Sequence, residues 1–378
     1  MKSVTLLGST GSIGQNSLNV IRANPRLFKI RGLSTKGALP KFQEQIDEFR
    51  PSCVCVAQGD DPSLLRLQKR CRVHGGNPGL IGLVKEPSDI VINALVGAVG
   101  IAPAYHALRR GRRLALANKE SLVAAGSLIM GAAKRLKCEI IPIDSEHSAV
   151  FQCLKGAAGE VEKIILTASG GPFRAAGEAD LARVTAQDAL KHPTWSMGPK
   201  ITVDSATMMN KGLEVIEAHF LFGVPYEKIE ILVHPQSVIH SMVQFRDGSV
   251  LAHLGTPDMR VPIQYALTYP DKLPLNVARL DLAARGRLEF EKPDFKRFPS
   301  KALAFEAGRA GGTLACAMNA ANEVAVEAFL KGRAGFTDIP KLIEKAMSRH
   351  RPLKRYSLEE ILAVDLETRE RTREWVSW

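Results

Sequence analysis

Residues 4–21 read VTLLGSTGSIGQNSLNVI, the pattern of a strand, a glycine-rich turn and a helix. An apolar run from Val4 to Leu7 leads into glycines at positions 8, 11 and 14, and a helical pattern with Leu18 on its apolar side follows. Glycines in such a turn let the backbone approach a pyrophosphate at the positive end of a helix. A glycine-rich turn also serves as a plain tight connection, but its place after the first strand favours a dinucleotide site.

Short β-branched runs alternate with helical segments up to about residue 145. The predicted strands are Val4 to Leu7, Ile30 to Leu33, Cys53 to Ala57, Ile90 to Leu95, Leu114 to Ala117 and Glu139 to Ile143. This alternation is typical of a parallel sheet with crossover helices. We therefore predict an α/β protein with a Rossmann-like N-terminal domain over residues 1–145.

The pattern changes after residue 145. Strands with turn-rich loops predict an α+β catalytic domain over residues 146–268, with strands at Lys163 to Thr167, Lys200 to Val203, Ile229 to Val233, Ser237 to Phe245 and Ser249 to His253. Four prolines mark residues 269–299 as a linker. Helical spacing over residues 300–378 predicts a C-terminal helical bundle, with helices at Ala302 to Ala310, Asn319 to Lys331, Ile339 to Arg349 and Ser357 to Arg371.

Charge and composition restrict the class of protein. The 378 residues carry a formal net charge of +12, and 45% of them are hydrophobic, which excludes a disordered chain. Apart from the arginines between Arg109 and Arg113, the basic residues are scattered without interleaved aromatics, so we expect no nucleic-acid partner. The most apolar window, Ile90 to Leu108, is broken by Gly97, Gly100 and Pro103, so we expect no membrane partner.

The cysteines and the N-terminal residues bear on the compartment. None of the six cysteines forms a CxxC pair, and we interpret them as small buried side chains in a reducing environment. The first apolar stretch spans four residues, where a secretory signal needs about 7 to 15. We expect a cytoplasmic location.

The end of the second predicted strand indicates which dinucleotide binds. A NAD site usually carries Asp or Glu there to hold the ribose hydroxyls, but this chain reads Ser34-Thr35-Lys36-Gly37. Hydroxyls and a cation without a carboxylate suit a 2′-phosphate, so we predict NADPH. An ordinary exposed loop lysine explains Lys36 equally well.

Carboxylates follow the strand that ends at Ile143. Asp144 and Glu146 lie two residues apart, where an open α/β sheet exposes its ligand crevice. Their hard oxygens favour Mg²⁺ or Mn²⁺ over zinc. Solvated carboxylates, or Ser145 as a helix cap, explain the pair better than a metal site unless a third carboxylate joins it. Glu214, at the predicted start of a later helix, is the candidate for that third ligand.

Two further segments carry groups suited to a phosphorylated ligand. The run from Asp204 to Gly212 combines hydroxyl, amide and ammonium groups near a helix N-terminus, and Ser169-Gly170-Gly171 adds a hydroxyl on an exposed backbone. Taken one by one, each also fits a capping device or a turn.

A possible lid and a lone histidine complete the candidates. Lys191 to Gly198 places Trp195 in a loop, which suits a lid that excludes water, although permanent docking of Trp195 in the core is equally consistent. His240, alone on its predicted strand, is more typical of a structural histidine than of a catalytic one.

Together these segments resemble the 1-deoxy-D-xylulose 5-phosphate reductoisomerase family. The matching motifs are GSTGSIG at 8–14, ALANKESLV at 115–123, IDSEHSA at 143–149, SGGPFR at 169–174, KHPTWSMG at 191–198, VDSATMMNKGLEVIEA at 203–218, HPQSVIHSMV at 234–243 and NAANEVAV at 319–326. They cover every predicted domain in order, which makes accidental similarity very improbable.

The resemblance implies a fold and a reaction. It implies a V-shaped homodimer with an NADPH domain, a catalytic domain and a C-terminal helical bundle. The implied reaction converts 1-deoxy-D-xylulose 5-phosphate into 2-C-methyl-D-erythritol 4-phosphate on the methylerythritol phosphate route to isoprenoids. It proceeds by carbon-skeleton rearrangement and hydride transfer from NADPH, with one Mg²⁺ or Mn²⁺ per subunit.

The resemblance also assigns roles to individual residues. Asp144, Glu146 and Glu214 resemble the divalent-metal ligands, and Ser145 and Lys119 resemble groups at the oxygenated end of the substrate. The implied substrate contacts, chiefly to phosphate, are Ser169, His192, Ser205, Asn210 and Lys211, with Trp195 as the lid residue. The implied NADPH contacts are Thr10, Gly11, Ser12, Ile13, Asn118, Glu120 and Gly198. Ser34-Thr35-Lys36-Gly37 stands where the family often has Ala-Gly-Lys-Asn, so the residues that grip the 2′-phosphate, with Lys36 and Gly37 as candidates, are left open.

Two rival classes account for parts of the sequence. A metal-independent NADP dehydrogenase of the semialdehyde or homoserine type shares the first domain but leaves the three carboxylates unexplained. A basic Rossmann-like protein that binds nucleic acid explains the net charge but not the predicted cofactor and phosphate groups.

Overall fold

The computed structural model describes residues 1–59, 61–156, 159–195 and 197–376. Contacts divide the chain into two compact units. The first comprises Met1–Ser121, Ile129–Ser145 and Asp258–Asn276, and the second comprises Leu122–Leu128, Glu146–Pro257 and Val277–Trp378. Within the described ranges, no helix has the length and apolar character that a membrane span requires.

The first unit is built on a parallel sheet, which has seven strands in the described residues. They are β1 (Lys2–Leu7), β2 (Phe28–Thr35), β3 (Cys53–Val56), β4 (Arg72–Gly75), β5 (Ile90–Asn93), β6 (Arg113–Leu116) and β7 (Ile140–Pro142). The spatial order is β4-β3-β2-β1-β5-β6-β7, and each adjacent pair is parallel. The order reverses direction beside β1, which places the ligand crevice of such a sheet at the carboxyl ends of β1 and β5.

The helices between these strands are α1 (Ser12–Ala23), α2 (Leu39–Phe49), α3 (Gly76–Lys85), α4 (Ile101–Arg109) and α5 (Lys119–Leu136). The helix α6 (Ser145–Gly156) follows β7, and from Glu146 onward it belongs to the second unit. The strand β4 is missing from the predicted set because its short sequence RVHG has no apolar run and is largely exposed.

The second unit contains a mixed sheet and most of the later helices. In the described residues its strands are β8 (Val161–Ala168), β9 (Ile229–Val233), β10 (Ile239–Phe245) and β11 (Val250–Leu254), in the order β11-β10-β8-β9. The remaining helices of the chain are α7 (Glu178–Leu181), α8 (Ala186–Ala189), α9 (Pro199–Ala206), α10 (Met209–Phe222), α11 (Arg260–Thr268), α12 (Leu282–Arg285), α13 (Ser300–Ala310), α14 (Leu314–Leu330), α15 (Asp338–Arg349) and α16 (Leu358–Trp375).

One hydrophobic core joins the sheet of the second unit to its C-terminal helices. Ile164 and Val243 from the sheet belong to the same buried cluster as Met318 of α14 and Ile343 of α15. In the first unit, α11 packs against α1, β6 and β7. The contacts therefore group residues 258–276 with the parallel sheet, whereas the predicted boundaries at 145, 268 and 299 remain a prediction.

One predicted strand is wrong. Residues 200–203 lie in the helix α9, although their sequence Lys-Ile-Thr-Val is rich in β-branched residues. Gly198 is the N-cap of this helix and Pro199 occupies its first turn, where proline is favoured, and the Thr202 hydroxyl donates to the Gly198 carbonyl at 2.8 Å. Local helix-start signals thus outweigh the weak strand propensity of the run.

Candidate active site

The glycine loop between β1 and α1 leaves no room for a side chain at Gly8 or Gly14. Gly8 has φ +78°, and a Cβ on Gly14 would lie 2.2 Å from the Gly8 carbonyl oxygen. Of the predicted NADPH contacts, Thr10 and Gly11 lie in this turn, and Ser12 and Ile13 begin α1. The first N–H groups of a helix lack intrahelical acceptors, so this cradle suits a phosphate.

The hydroxyls at the end of β2 hold the glycine loop in place. Ser34 Oγ accepts from the Gly8 N–H at 2.9 Å, and the Thr35 and Thr10 hydroxyls lie 2.9 Å apart. Ser34 and Thr35 are buried, whereas Lys36 is exposed and Gly37 is half-buried. The predicted hydroxyls therefore support the loop, and Lys36 is the side chain of this group that reaches solvent.

Asn118 and Glu120 are buried at the start of α5. The Asn118 amide donates to Glu120 Oε2 at 2.8 Å and to the carbonyls of Leu95 and Gly97 at 3.0 Å. Its Oδ1 accepts from the Ser121 N–H at 3.2 Å and caps the helix. The two predicted NADPH contacts thus fix the backbone that follows β5.

Lys119 forms an ion pair with Asp144 inside the first unit. Its Nζ lies 2.9 Å from Asp144 Oδ2, and both side chains are largely buried. Asp144 Oδ1 also accepts from the Ser145 N–H at 3.1 Å, at the start of α6. The two candidate residues Lys119 and Asp144 are therefore in direct contact.

In the second unit, Lys211 is bonded to two acidic residues. Its Nζ lies 2.8 Å from Glu146 Oε1 and also donates to Glu214, and one carboxylate oxygen from each glutamate lies within 4.8 Å of the other. Burial alone disfavours the ammonium, but the carboxylates of Glu146 and Glu214 outweigh it and raise the pKa of Lys211 above its ordinary value. The Lys211 ammonium therefore offsets the repulsion between the two neighbouring carboxylates.

Glu214 lies in the second turn of α10, not at its start as predicted. The helix begins at Met209 after Met208 in the left-handed region, with φ +62°. This start places Asn210 one turn before Glu214, and the Asn210 amide donates to Glu214 Oε1 at 2.6 Å. Asn210 and Lys211 thus each neighbour Glu214 on the helix surface, at i, i+4 and i, i+3 spacing.

Sequence reasoning missed a buried pair beside these residues. His147 Nε2 lies 2.9 Å from the Glu214 carbonyl oxygen, and His147 Nδ1 lies 3.5 Å from Glu217 Oε2. Both side chains are fully buried. The spacing of Glu214 and Glu217, three residues apart on one helix, was the available signal.

Ser169 and His192, two candidate residues of the second unit, are in contact. His192 Nδ1 accepts from the N–H groups of Thr194 at 3.2 Å and Trp195 at 2.9 Å, and burial lowers the pKa of His192. A neutral imidazole that accepts at Nδ1 carries its proton on Nε2, which donates to Ser169 Oγ at 3.1 Å. The Ser169 hydroxyl is then oriented to donate to an anion.

The loop after β8 lies directly on Ser205. Gly171 has φ +70°, and a Cβ there would come within 2.6 Å of the Ser205 carbonyl oxygen. The structure therefore brings the backbone next to Ser169 and the end of α9 together, which agrees with both serines facing one ligand.

The predicted lid contains Trp195 and Gly198, and its Ser196 lies outside the described residues. Trp195 is half-buried, with its ring centroid 6.3 Å from that of His240, and Gly198 is the exposed N-cap of α9. Trp195 is therefore neither free in solvent nor fully docked in the core.

Three family models match the chain. They are described as 1-deoxy-D-xylulose 5-phosphate reductoisomerase over residues 4–126, its C-terminal domain over residues 140–222, and DXP reductoisomerase C-terminal domain over residues 254–371. A 1-deoxy-D-xylulose 5-phosphate reductoisomerase of Geobacillus sp. (strain WCH70) is 52% identical over 378 residues, with 99% of each chain covered. The chain belongs to the 1-deoxy-D-xylulose 5-phosphate reductoisomerase family.

Further members of this family agree with that assignment. The reductoisomerase of Geobacillus kaustophilus (strain HTA426) is 52% identical, with full coverage of both chains. A structure of the Zymomonas mobilis enzyme in complex with NADPH superposes with a TM-score of 0.90 at 41% identity, covering 100% of this chain and 99% of that one. A reductoisomerase in complex with NADPH, fosmidomycin and magnesium gives a TM-score of 0.93 at 38% identity, covering 100% and 98%. The predicted family and the predicted α/β fold are confirmed.

Proposed function

We propose that this chain converts 1-deoxy-D-xylulose 5-phosphate into 2-C-methyl-D-erythritol 4-phosphate, with NADPH as hydride donor and one Mg²⁺ or Mn²⁺ per subunit. This reaction is the activity of the family, and it belongs to the methylerythritol phosphate route to isoprenoids. The observation that carries the proposal is the contact of Lys211 with Glu146 and Glu214, because it places two carboxylates and a cation at one point.

We assign the metal to Asp144, Glu146 and Glu214. The donor set fits, because hard carboxylate oxygens suit Mg²⁺ and Mn²⁺, and because Lys211 already supplies positive charge to two of the three. Asp144 lies two residues before Glu146 in the chain. When bound, the ion supplies Lewis-acid stabilisation of oxygen charge on the substrate.

Other residues of the chain bind and orient the substrate. Ser169, Ser205, Asn210 and Lys211 bind the phosphate, with His192 holding the Ser169 hydroxyl in its donating orientation. Lys119 and Ser145 contact the oxygenated end of the substrate. Because the phosphate does not react, its binding energy restricts the reacting fragment and closes Trp195 over it.

The residues around the glycine loop fit NADPH. The cradle formed by Gly8, Gly11 and Gly14 receives the pyrophosphate, and Thr10, Ser12 and Ile13 line it. Lys36 holds the 2′-phosphate, with Gly37 beside it, whereas Asn118 and Glu120 shape the backbone near β5. The resemblance to the family also assigns Gly198 to NADPH. A Lys36→Ala variant tests this assignment: the ratio of kcat/KM for NADPH to that for NADH falls, and an unchanged ratio removes Lys36 from the site.

A homodimer and a cytoplasmic location complete the proposal. The strand β11 pairs with β10 on one side and is otherwise an edge in the described residues, with Val250, Leu251 and Leu254 exposed. Such an edge is a ready surface for a second copy. The six cysteines are free thiols, which supports a reducing compartment. Sedimentation at equilibrium measures the subunit number, and a monomer at micromolar concentration contradicts the dimer.

One assay tests the reaction. NADPH oxidation is followed with 1-deoxy-D-xylulose 5-phosphate in the presence of Mg²⁺, and again after exhaustive chelation. Turnover that depends on both substrate and metal supports the proposal. Full activity without metal favours the dehydrogenase class, and salt-sensitive binding of oligonucleotides without NADPH binding favours the nucleic-acid class.

A further inference from the structure

Asp204 is a buried carboxylate held from two sides. Its Oδ1 accepts from the Asn322 amide at 2.9 Å, and its Oδ2 lies 2.8 Å from Lys200 Nζ, four residues earlier on α9. The side chain of Asp204 is almost fully buried. A carboxylate in such a place keeps its charge only when it is paired and hydrogen-bonded, so both partners fix its position.

Asp204 is the sequence neighbour of Ser205, one of the proposed phosphate ligands. It immediately precedes Ser205 in the last turn of α9. The Ser205 carbonyl oxygen is packed against Gly171, and Ser169 lies two residues before that glycine. A shift of Asp204 therefore moves Ser205 relative to Ser169.

The helix α14 carries two buried amides that behave differently. Asn319 and Asn322 are both fully buried, in a helix whose other buried side chains are apolar or a thiol. Asn319 donates at 2.8 Å to Glu323 of its own helix. Asn322 instead donates across 118 positions of sequence to Asp204. The NAANEVAV motif thus contains one amide that bonds within its own helix and one that bonds to Asp204 of α9.

We propose that Asn322, together with Lys200, is a positioning residue for the phosphate site. Asn322 holds Asp204 and thereby fixes the position of the Ser205 hydroxyl. Through this contact the helix α14 contributes to substrate binding, although Asn322 does not touch the substrate. The inference rests on the proposed function, because it takes Ser169 and Ser205 as phosphate ligands.

The test compares Asn322→Leu with Asn319→Leu, two substitutions of equal chemistry at equally buried sites one turn apart. Both variants lose thermal stability. Asn322→Leu alone raises the KM for 1-deoxy-D-xylulose 5-phosphate about tenfold, with a smaller change in kcat, because a displaced serine weakens binding and alignment. It weakens binding of inorganic phosphate, measured by calorimetry, by a similar factor and leaves the KM for NADPH unchanged.

Lys200→Met is the second variant, because Lys200 is partly exposed and its replacement disturbs packing less. It removes the other partner of Asp204 and raises the same KM even if Asn322→Leu does not fold. The exchange of both groups, Asp204→Asn with Asn322→Asp, keeps one carboxylate and one amide in contact and recovers part of the phosphate affinity lost in Asp204→Asn.

The outcomes separate the two proposals. The positioning role is overturned if the Asn322→Leu and Lys200→Met proteins fold and bind inorganic phosphate as tightly as Asn319→Leu does. This conclusion holds even when the wild type is active. A wild type that shows no NADPH oxidation with the substrate overturns the proposed function instead.

Discussion

Lys211 Nζ lies 2.8 Å from Oε1 of Glu146, a residue 65 positions earlier in the chain. The same ammonium donates to Glu214, three residues further along α10. The two glutamates therefore have a cation of their own before any metal binds. We expect a divalent ion at these carboxylates to compete with Lys211, and a displaced ammonium would be available to the substrate phosphate.

Replacing Lys211 by Met tests this exchange. The variant should bind Mn²⁺ more tightly than the wild type in the absence of substrate, because the competing ammonium is gone. Its KM for 1-deoxy-D-xylulose 5-phosphate should rise about tenfold or more, because a charged partner of the phosphate is lost. Calorimetry with Mn²⁺ and steady-state kinetics measure the two effects.

The stability of the same variant gives an independent check. In chelator, Lys211→Met leaves Glu146 and Glu214 without their cation, so its melting temperature should fall, and Mn²⁺ should restore it by binding the folded state. A variant whose Mn²⁺ affinity is weaker than that of the wild type would show that Lys211 does not compete for the carboxylates.

Glu214→Gln removes one proposed metal ligand and keeps the shape of the side chain. NADPH oxidation with substrate and Mg²⁺ should fall by about a hundredfold or more, because charge that develops on the substrate loses its stabilisation. NADPH binding, followed by fluorescence, should stay intact. Glu227→Gln, at an exposed surface ion pair with Arg309, is the control and should retain full activity. Equal turnover by Glu214→Gln removes this residue from the metal site.

The two glycines Gly14 and Gly131 make a matched pair for the NADPH cradle. A Cβ on Gly14 meets backbone atoms of Gly8 and Ser9 that cannot move aside, whereas nothing lies within 4 Å of a Cβ on Gly131 in α5. Gly14→Ala should therefore weaken NADPH binding more than about tenfold. Gly131→Ala should leave binding unchanged and stabilise the helix by up to about 1 kcal/mol. Normal NADPH affinity in Gly14→Ala would contradict the assigned cradle.

Lys301 predicts a pH dependence of stability. Burial lowers the pKa of Lys301 to about 8 from its ordinary value of 10.5, against the opposing attraction of Asp294. Between about pH 8 and 10.5 the unfolded chain holds this proton more often than the folded chain does. The contribution of Lys301 to the free energy of unfolding therefore rises with pH across that window.

Lys301→Met isolates this contribution. The free energy of unfolding of the variant should lack the rise, so the wild type should gain stability relative to the variant as the pH increases from about 8 to 10.5. Lys331→Met, at an exposed lysine paired with Glu327, should keep the wild-type slope. Parallel curves for Lys301→Met and the wild type would show that the Lys301 ammonium is not disfavoured in the fold.

The parallel sheet was predictable because its signals are local. The run before Gly8 and the glycines up to Gly14 specify a strand, a turn and a helix within 18 residues, and the structure places β1 and α1 there. Local reading failed where two local signals competed. Residues 200–203 have the composition of a strand, but Gly198 and Pro199 start a helix.

The contacts that hold the site residues in place were not predictable from one sequence. The candidates Glu146 and Glu214 are visible as carboxylates near helix starts, but the contact of Asn322 with Asp204 joins residues 118 positions apart. No sequence periodicity predicts such a contact, because only the tertiary fold sets the distance between the two residues. Ser34 and Thr35 show the same limit, since their hydroxyls look available in sequence and are buried in contacts with the glycine loop.

The most direct test of the central claim is the rate of NADPH oxidation by metal-stripped protein, with saturating 1-deoxy-D-xylulose 5-phosphate, as Mn²⁺ is titrated. We predict no oxidation before Mn²⁺ is added and a rate that saturates with one ion bound per chain. A full rate in excess chelator would contradict the claim that Glu146 and Glu214 hold an ion that the reaction requires.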